Sequence, residues 1–342
     1  MSIAIENLID AVVAGRDLSR EQTVRIFDEL VAGRLVDEQV ERFLTALSQK
    51  GETVEESVGA AEVMRRHVVR IACDEPDAID TCGTGGDGIS TFNVSTAAAL
   101  VSAGAGAKVA KHGNRSNSRK SGSAEVLLEL GVNINAPPTL VARCIAEVGI
   151  GFLFAAGLHP AMKRVATIRR RIGRPTVFNL LGPLTNPAFV RRQIVGVPRL
   201  DLMDTLAGAL KELGIVRAFV VHGHDGLCDL TITGPSSYVE LRDGRTQQHT
   251  IRPETFGLNR APLDELRIDS PQESAAAIRN ILAGRRGAHR DHTLLNAAAA
   301  LAAAGVAEDI SEGIEKAAAS IDSGAAAETL KKLAALTQKQ TG

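Results

Sequence analysis

A glycine-rich segment at residues 80–88 (DTCGTGGDG) is the strongest sign of chemistry in this sequence. Glycines let backbone N–H groups approach a phosphate closely, and several such groups can point into one concavity. The segment 91–96 (TFNVST) follows, and residues 97–101 (AAALV) then predict a helix. Because the first N–H groups of a helix attract an anion, the whole run predicts a phosphate-binding loop.

Two other interpretations of this loop stay open at this point. The spacing Gly83-x-Gly85-x-x-Gly88 also matches the dinucleotide fingerprint. The acid that this fingerprint needs about 20 residues later is missing, and Lys108 and Lys111 occupy that region instead, which disfavours a nicotinamide enzyme. The other alternative is a tight turn that merely joins two elements.

A second polar loop lies at residues 111–123 (KHGNRSNSRKSGS), after a predicted strand and before a predicted helix. Its four lysines and arginines, four serines and two glycines suit a phosphate or diphosphate. It is not a Walker A loop, because Arg119 rather than glycine precedes Lys120-Ser121. A solvated surface loop is the alternative, but two such loops so close in sequence favour one shared anionic ligand.

A cationic cluster follows His159, with six lysines and arginines between residues 163 and 174, and leads into residues 178–187 (FNLLGPLTNP). Taken one at a time, such cations are more often surface charge than ligands, and together they could form a nucleic-acid patch. A planar guanidinium is nonetheless the natural partner of a substrate carboxylate.

The elements that must position these residues fall into two groups. The first seventy residues predict helices, with capping boxes at Ser19-x-x-Gln22 and Thr53-x-x-Glu56. Between them, apolar residues at i, i+3, i+4 and i+7 form one stripe: Val40, Phe43, Leu44 and Leu47.

After residue 76, short apolar runs alternate with helical patterns, and Lys108–Ala110, Gly151–Ala155 and Val216–Val221 predict buried strands. The tail from Ser274 to Gln338 is alanine-rich and helical in period, with a break at residues 322–324. The sequence therefore predicts an α/β fold whose mainly parallel central sheet is covered by helices.

Composition limits the class of protein. The chain has 342 residues, is 44% hydrophobic and 23% charged, and carries a net charge of −1, which disfavours a nucleic-acid binder. With no Trp, one Tyr and nine Phe, aliphatic and alanine side chains must fill the core. Four separated cysteines and the lack of a long apolar span lead us to expect a soluble, cytoplasmic protein with reduced thiols and no membrane contact.

Several motifs together resemble the anthranilate phosphoribosyltransferases of tryptophan biosynthesis. They are residues 83–88 with 91–96, the loop that begins at Lys111, and the run 178–184 (FNLLGPL). The likeness extends over nearly the whole chain, including residues 221–227 (VHGHDGL) and 296–299 (NAAA). The loop at Lys111 alone is less specific, since pyrimidine nucleoside phosphorylases of related fold carry a similar one.

The resemblance implies an architecture and a reaction. It implies a small helical domain, residues 1–72 with a returning segment at 159–189, beside a large α/β donor-binding domain, residues 73–342, and a homodimer formed through the helical domain. The phosphoribosyl group of 5-phosphoribosyl 1-pyrophosphate (PRPP) would pass to the amino group of anthranilate, giving N-(5-phosphoribosyl)anthranilate and pyrophosphate, with Mg²⁺ as cofactor. No covalent nucleophile is expected.

The resemblance also implies which residues bind each ligand. The donor would contact Gly83, Gly86, Asp87, Thr91, Asn93, Val94, Ser95, Thr96, Lys111, His112, Gly113, Asn114, Arg115, Ser116, Asn117, Ser118, Arg119 and Ser123. Anthranilate would lie near Gly83, Asn114 and Arg169, with His112 and His159 lining the approach. Mg²⁺ would use Ser95, and a second ion would use Cys228 and Asp229.

Two departures from the family pattern affect this assignment. The pattern usually has Asp-Glu, two acidic metal ligands, where this chain has Cys228-Asp229. Arg119 stands where the pattern usually has a serine. Since a thiol is a poor ligand for the hard Mg²⁺ ion, we expect the second ion to be held weakly.

Two rival functions remain at this stage. A pyrimidine nucleoside phosphorylase of related fold would use the loop at Lys111 for inorganic phosphate, but residues 178–187 count against it. A catalytically weak paralogue that binds nucleic acid through residues 163–174 is the other rival, which the net charge of −1 disfavours.

Overall fold

Four helices form the first part of the molecule. The computed structural model describes residues 2–116 and 119–339. The four N-terminal helices are α1 (Ser2–Val13), α2 (Arg20–Val31), α3 (Asp37–Lys50) and α4 (Val54–Arg66). Both predicted capping boxes are confirmed, with the side chain of Ser19 at the start of α2 and that of Thr53 at the start of α4. The predicted apolar stripe of α3 is buried.

Within the described residues, one seven-stranded sheet forms the second part. Its strands are β1 (Ile79–Gly83), β2 (Val109–Gly113), β3 (Ile150–Phe154), β4 (Arg192–Gly196), β5 (Arg217–Gly223), β6 (Ser236–Arg242) and β7 (Arg245–Ile251). They lie in the order β3-β2-β1-β4-β5-β6-β7, parallel from β3 to β5 and antiparallel from β5 to β7. The predicted α/β fold with a mainly parallel sheet is confirmed.

Helices cover both faces of this sheet. They are α5 (Val94–Gly104), α6 (Ser123–Glu129), α7 (Pro138–Arg143), α8 (Ala155–Leu158), α9 (Met162–Ile172), α10 (Val177–Leu184), α11 (Leu202–Glu212), α12 (Pro271–Leu282), α13 (Ala288–Ala304), α14 (Ile310–Asp322) and α15 (Ala325–Thr337). Successive strand residues point to opposite faces, so Ile194 joins the core under α5 and α13, while Val195 joins the core under α11. Among the residues that the structure describes, no helix is both long and apolar enough to cross a bilayer.

The three predicted strands exist with shifted boundaries, as β2, β3 and β5, whereas four strands were not predicted. The hairpin of β6 and β7 had a local signal: Asp243-Gly244 takes positive φ angles of 50° and 76° between the two strands. An Asp-Gly pair of this kind forms the tight turn whose twist matches an antiparallel pair. Its polar second strand, 245–251 (RTQQHTI), hid the hairpin from a search for apolar runs.

Alanine and glycine fill the core beside α5, α13 and α14. Helix α13 is buried on all sides from His292 to Ala304. A Cβ on Gly313 would lie 2.6 Å from the carbonyl oxygen of Ala298, and one on Gly104 would lie 2.6 Å from the backbone nitrogen of Ala326. The helices therefore approach one another across residues without large side chains, as the scarcity of aromatic residues indicates.

A second core joins the N-terminal helices to later parts of the chain. Phe27 and Phe43 pack with Phe178 of α10, and Val165 and Ile168 of α9 lie in the same cluster. This cluster continues onto the face of the sheet that α11 covers. Helix α9 thus packs on the N-terminal helices, and α10 lies between those helices and strands β1 and β2, which lead into the two polar loops.

Candidate active site

The strand order places a crevice at the carboxyl end of β1. From β1 the chain moves outward to β2 and β3, and then returns to the other side of β1 with β4. Gly83 and Gly196 end these two neighbouring strands in register, and the N–H of Thr84 donates to the carbonyl of Gly196 at 2.9 Å. In open α/β sheets, ligands bind at such a reversal of strand order.

The glycine loop opens into this crevice. Gly85, Gly86 and Gly88 have φ angles of 65°, 93° and 68°, and the space beside Gly85 and Gly88 is empty out to 4 Å. The hydroxyls of Thr91 and Thr96 are buried and have no hydrogen-bond partner among the described residues. Since a buried polar atom without a partner is costly, these hydroxyls fit an anionic ligand with acceptor oxygens.

Asn93, which was also predicted to contact the donor, has its side chain engaged in hydrogen bonds within the protein. It precedes α5 without capping it, and its side-chain oxygen accepts from the hydroxyls of Ser121 at 2.7 Å and Ser274 at 2.8 Å. Its amide nitrogen donates to the carbonyl of Ser121 at 3.3 Å. The side chain of Asn93 therefore ties the start of α5 to the second loop and to α12, while that of Val94 is buried.

Lys111 connects the two polar loops. Its ammonium donates to the carbonyl of Thr81 and, at 3.3 Å, to the hydroxyl of Ser95 in the first turn of α5. The side chain is buried, and burial lowers the pKa of its amine, against the attraction of Asp80. The hydroxyl of Ser95 keeps a second lone pair, so this oxygen can also face a hard cation.

A buried polar network of Asp80 and Asn186, which the sequence analysis did not predict, contacts the strand that carries Lys111 and His112. The carboxylate of Asp80 accepts from the backbone N–H of His112 at 2.9 Å and from the amide of Asn186 at 2.8 Å. The same amide of Asn186 donates to the carbonyl of Ala110 at 2.9 Å. Burial raises the pKa of Asp80, while Lys111, Asn186 and His112 oppose the rise. No local signal in the sequence marks this network, because its partners lie on separate segments.

The second loop turns tightly after β2. A Cβ on Gly113 would overlap the hydroxyl of Ser123, and that hydroxyl donates to the carbonyl of Asn114 at 3.2 Å. Asn114 and Arg115 are exposed, and Ser116 accepts from the backbone N–H of Arg119 at 2.8 Å. The predicted donor contacts Asn117 and Ser118 lie outside the described residues.

Arg119 and Asp87 join the second loop to the glycine loop. The guanidinium of Arg119 pairs with both carboxylate oxygens of Asp87, its Nε lying 2.6 Å from Oδ1. The same carboxylate accepts from the backbone N–H of Cys228 at 3.1 Å. Asp87, predicted to bind the donor, is therefore the centre of a contact among three segments.

Cys228 and Asp229 are poorly suited to a second metal ion. Burial raises the pKa of the Cys228 thiol to about 12, so the thiol stays protonated, and it donates to the carbonyl of Gly85 at 3.7 Å. Burial raises the pKa of the Asp229 carboxyl to about 6, against the opposing charges of Arg119 and Lys111. A neutral thiol and a carboxylate already facing two cations offer little to Mg²⁺.

The space at these residues is also small. Thr81, Ser95, Cys228 and Asp229 line a cavity of about 10 Å³, room for roughly one water. A larger cavity of about 540 Å³, at the start of α13 and the end of α14, is lined by none of the predicted site residues. Within the described residues, no three His, Cys, Asp or Glu side chains are placed together to hold a metal ion. An ion here needs oxygen ligands from a bound anion.

The two predicted histidines are joined by one hydrogen bond, whose donor and acceptor the structure identifies. Because a carbonyl only accepts, Nδ1 of His112 donates to the carbonyl of Gly182 at 3.0 Å, which leaves Nε2 of His112 as an acceptor. His159 then donates from its Nε2 across 3.1 Å. Burial lowers the pKa of His112 to about 3 and that of His159 to about 4, so both rings are neutral near pH 7.

Arg169 lies on the same side of α10 as this pair. Its guanidinium donates to the side-chain oxygen of Asn179 at 3.1 Å and sits 5.6 Å from the ring centre of Phe178. Asn179 and Gly182 are three residues apart in α10 and therefore share a face. Asn179 and Gly182 thus place Arg169 and the pair of His112 and His159 along one face of α10.

Other arginines of the cationic cluster point elsewhere. Arg164 donates to the carbonyl of Leu35 at 2.8 Å, and Arg171 pairs with Asp37 and Glu41 of α3. These side chains hold α9 against the N-terminal helices, which argues against a nucleic-acid patch at 163–174.

Two domain families match the chain. The glycosyl transferase family, a/b domain, matches residues 75–327, and the glycosyl transferase family, helical bundle domain, matches residues 6–68. Together these matches cover the N-terminal helices, the sheet and both polar loops.

Individual relatives match over nearly their whole length. An anthranilate phosphoribosyltransferase of Anaeromyxobacter sp. (strain K) is 50% identical over 333 residues, covering 97% of this chain and 98% of the relative. A crystal structure of anthranilate phosphoribosyltransferase from Thermus thermophilus superimposes with a TM-score of 0.92 at 39% identity, covering 97% and 99% of the two chains. The Saccharomyces cerevisiae enzyme, solved in complex with PRPP and Mg, superimposes with a TM-score of 0.89 at 27% identity, covering 98% of each chain.

Proposed function

Because this chain belongs to the anthranilate phosphoribosyltransferases of the glycosyl transferase family, we propose that its two anion loops hold PRPP while the face of α10 beside Arg169 holds anthranilate. The chain is a pentosyltransferase of tryptophan biosynthesis, and the reaction transfers the phosphoribosyl group of PRPP to the amino group of anthranilate. The proposal concerns which residues perform it.

The donor assignment is carried by the unpartnered hydroxyls of Thr91 and Thr96 beside an open glycine loop. A pyrophosphate there would also meet the N-terminus of α5, whose dipole favours an anion, and the Lys111 ammonium. The remaining predicted contacts that the structure describes flank the same crevice, namely Asn114, Arg115, Ser116, Arg119 and Ser123, whereas Asn93 acts by holding the loop in place.

Mg²⁺ fits beside Ser95. A serine oxygen and the phosphate oxygens of PRPP are hard ligands of the kind that Mg²⁺ prefers. When bound there, the ion neutralises part of the charge on the pyrophosphate leaving group. The solved yeast relative, in complex with PRPP and Mg, supports this role of the metal.

The chemistry needs positioning and charge more than a nucleophile. Breaking the bond between C1′ and pyrophosphate builds positive charge on the ribose and negative charge on the leaving group, and Lys111 stabilises the latter. The amine of anthranilate is neutral at pH 7 and needs no strong base. Because His112 and His159 are neutral, they line the approach without adding positive charge near C1′.

Anthranilate would bind between the two anion loops and the face of α10 beside Arg169. Its carboxylate would pair with Arg169, which Asn179 and the ring of Phe178 hold in place. Gly83 and Asn114 would approach its ring from the donor side, and its amine would then point toward C1′. Holding both reactants in line supplies much of the rate in such reactions.

The domain organisation and assembly belong to the same proposal. We place the helical domain at residues 1–72 with the segment 159–189, because α9 and α10 share the core of the N-terminal helices, and the α/β domain at residues 73–342. A homodimer through the helical domain would cover Val13 and Val36, whose exposed fractions are 51% and 60%. We propose a cytoplasmic location.

One mixing experiment tests the proposed function. Anthranilate fluorescence is expected to disappear only when the protein, PRPP and Mg²⁺ are all present, because the ion and both substrates must share the crevice. Each component is omitted in turn as a control. If fluorescence persists at micromolar folded protein while thymidine or uridine is cleaved by inorganic phosphate, the phosphorylase alternative is correct instead.

A further inference from the structure

We propose that the guanidinium of Arg119 takes the place of a second divalent cation in this enzyme and neutralises the pyrophosphate of PRPP directly. This inference rests on the proposed binding of PRPP at the two anion loops. It makes Arg119 a residue of the reaction itself, and it assigns one metal ion, rather than two, to each active site.

The geometry places Arg119 where such an ion would act. The guanidinium pairs with Asp87, whose carboxylate also accepts from the N–H of Cys228, so one carboxylate bridges Arg119 and the backbone of Cys228. Only 16% of the Arg119 side chain is exposed, and that of Asp87 is fully buried. Within residues 2–116 and 119–339, Nη1 of Arg119 donates to no other group, which leaves it available to a ligand in the crevice.

The charges agree with this role. The thiol of Cys228 donates to the carbonyl of Gly85 at 3.7 Å, so it is engaged with the glycine loop. Asp229 faces Lys111 and Arg119, two fixed cations, before any metal enters. A divalent ion added there would meet the carboxylates of Asp229 and Asp87, the latter already paired with Arg119, and the cations of Lys111 and Arg119 would repel it. The guanidinium of Arg119 keeps Nη1 for phosphate oxygens, with which it would form charge-assisted hydrogen bonds.

The available space leads to the same assignment. The cavity between Ser95, Cys228 and Asp229 is about 10 Å³. Mg²⁺ keeps several waters in a near-octahedral shell, and roughly one water fits here. Because Ser95 lines the same small cavity, this space leaves room for one ion at most, and that ion takes its remaining ligands from the donor and the open side of the crevice.

Counting metal ions tests the proposal without measuring turnover. Mn²⁺ replaces Mg²⁺, and electron paramagnetic resonance counts the ions retained per bound PRPP in the absence of anthranilate. We expect one ion in the wild type and two in the triple variant Arg119→Ser, Cys228→Asp, Asp229→Glu. Two ions in the wild type would overturn the proposal, whether or not the triple variant folds.

The affinity for PRPP provides the second measurement. Arg119→Ser is expected to raise the Kd for PRPP about 10- to 100-fold, since charge-assisted hydrogen bonds are lost. Adding Cys228→Asp and Asp229→Glu should recover much of that loss at millimolar Mg²⁺. The control is Arg143→Ala, which removes another arginine–carboxylate pair, with Glu147, on the far helix α7; it should change neither the Kd nor the ion count.

The outcomes separate this inference from the proposed function. A wild type that consumes anthranilate but retains two ions per PRPP contradicts only the inference. An unchanged Kd in folded Arg119→Ser protein also contradicts only the inference. A wild type that binds no PRPP contradicts both.

Discussion

Replacing Asp80 with alanine is expected to lower the free energy of unfolding by about 3–5 kcal/mol, the usual cost of removing one partner from a buried charged network. The N–H of His112 and the amide of Asn186 would lose their acceptor, and the buried Lys111 ammonium would lose the charge that opposes its desolvation. Urea unfolding followed by circular dichroism measures the change.

Two further variants make this prediction specific. Asp77→Ala, three residues earlier, removes an exposed carboxylate that pairs with Arg192, and it should change stability by about 1 kcal/mol at most. Combining Asp80→Ala with Lys111→Met should cost less than the sum of the two single changes, because the second removes the uncompensated cation. Strict additivity, or a loss from Asp80→Ala no larger than that from Asp77→Ala, would show that the network contributes little.

The second large effect concerns the acceptor. Arg169→Ala is expected to raise the KM for anthranilate about 10- to 150-fold, the value of about 1.5–3 kcal/mol for a charge-assisted hydrogen bond. The KM for PRPP should change little, since Arg169 lies on the α10 side of the crevice and contacts Asn179 rather than the anion loops. Initial rates with each substrate varied in turn give both constants.

The neighbouring arginine is the matched control. Arg170 is exposed, and its guanidinium donates to the hydroxyl of Thr167 within the same helix. Arg170→Ala should therefore leave both constants near the wild-type values. Equal increases of the two constants in Arg169→Ala would mean that Arg169 supports the structure instead of binding the carboxylate.

Local features of this fold could be predicted from the sequence because their partners are a few residues apart. Ser19 and Gln22 are an example, since the cap and its partner belong to one turn. Strand β1 was not predicted, because Asp80, Thr81 and Cys82 give it no apolar run. Only its position between β2 and β4 makes it an interior strand of the sheet.

The site shows the same limit. The glycine loop and the loop after Lys111 could be identified one at a time, because each carries its own composition. The contact between Arg119 and Asp87 spans 32 positions, and that between Asn186 and Asp80 spans 106. The local sequence around these residues does not predict either contact, because the order of the strands brings the segments together. The composition of Cys228-Asp229 predicted a weak metal site, but not the cation that lies beside it.

Helix α13 has a consequence for how steadily the site is held. From Leu294 to Ala304 seven of the eleven residues are alanine, and alanine has no rotamers to lose on folding or to exchange afterwards. Asn296 in this stretch donates to the carbonyl of Leu230 and accepts from its N–H, at 2.8 and 3.0 Å. The backbone next to Asp229 is therefore fastened to a helix that has almost no side-chain entropy. The position of this backbone segment is therefore set by main-chain contacts. Changes of side-chain rotamer in the core should shift it little.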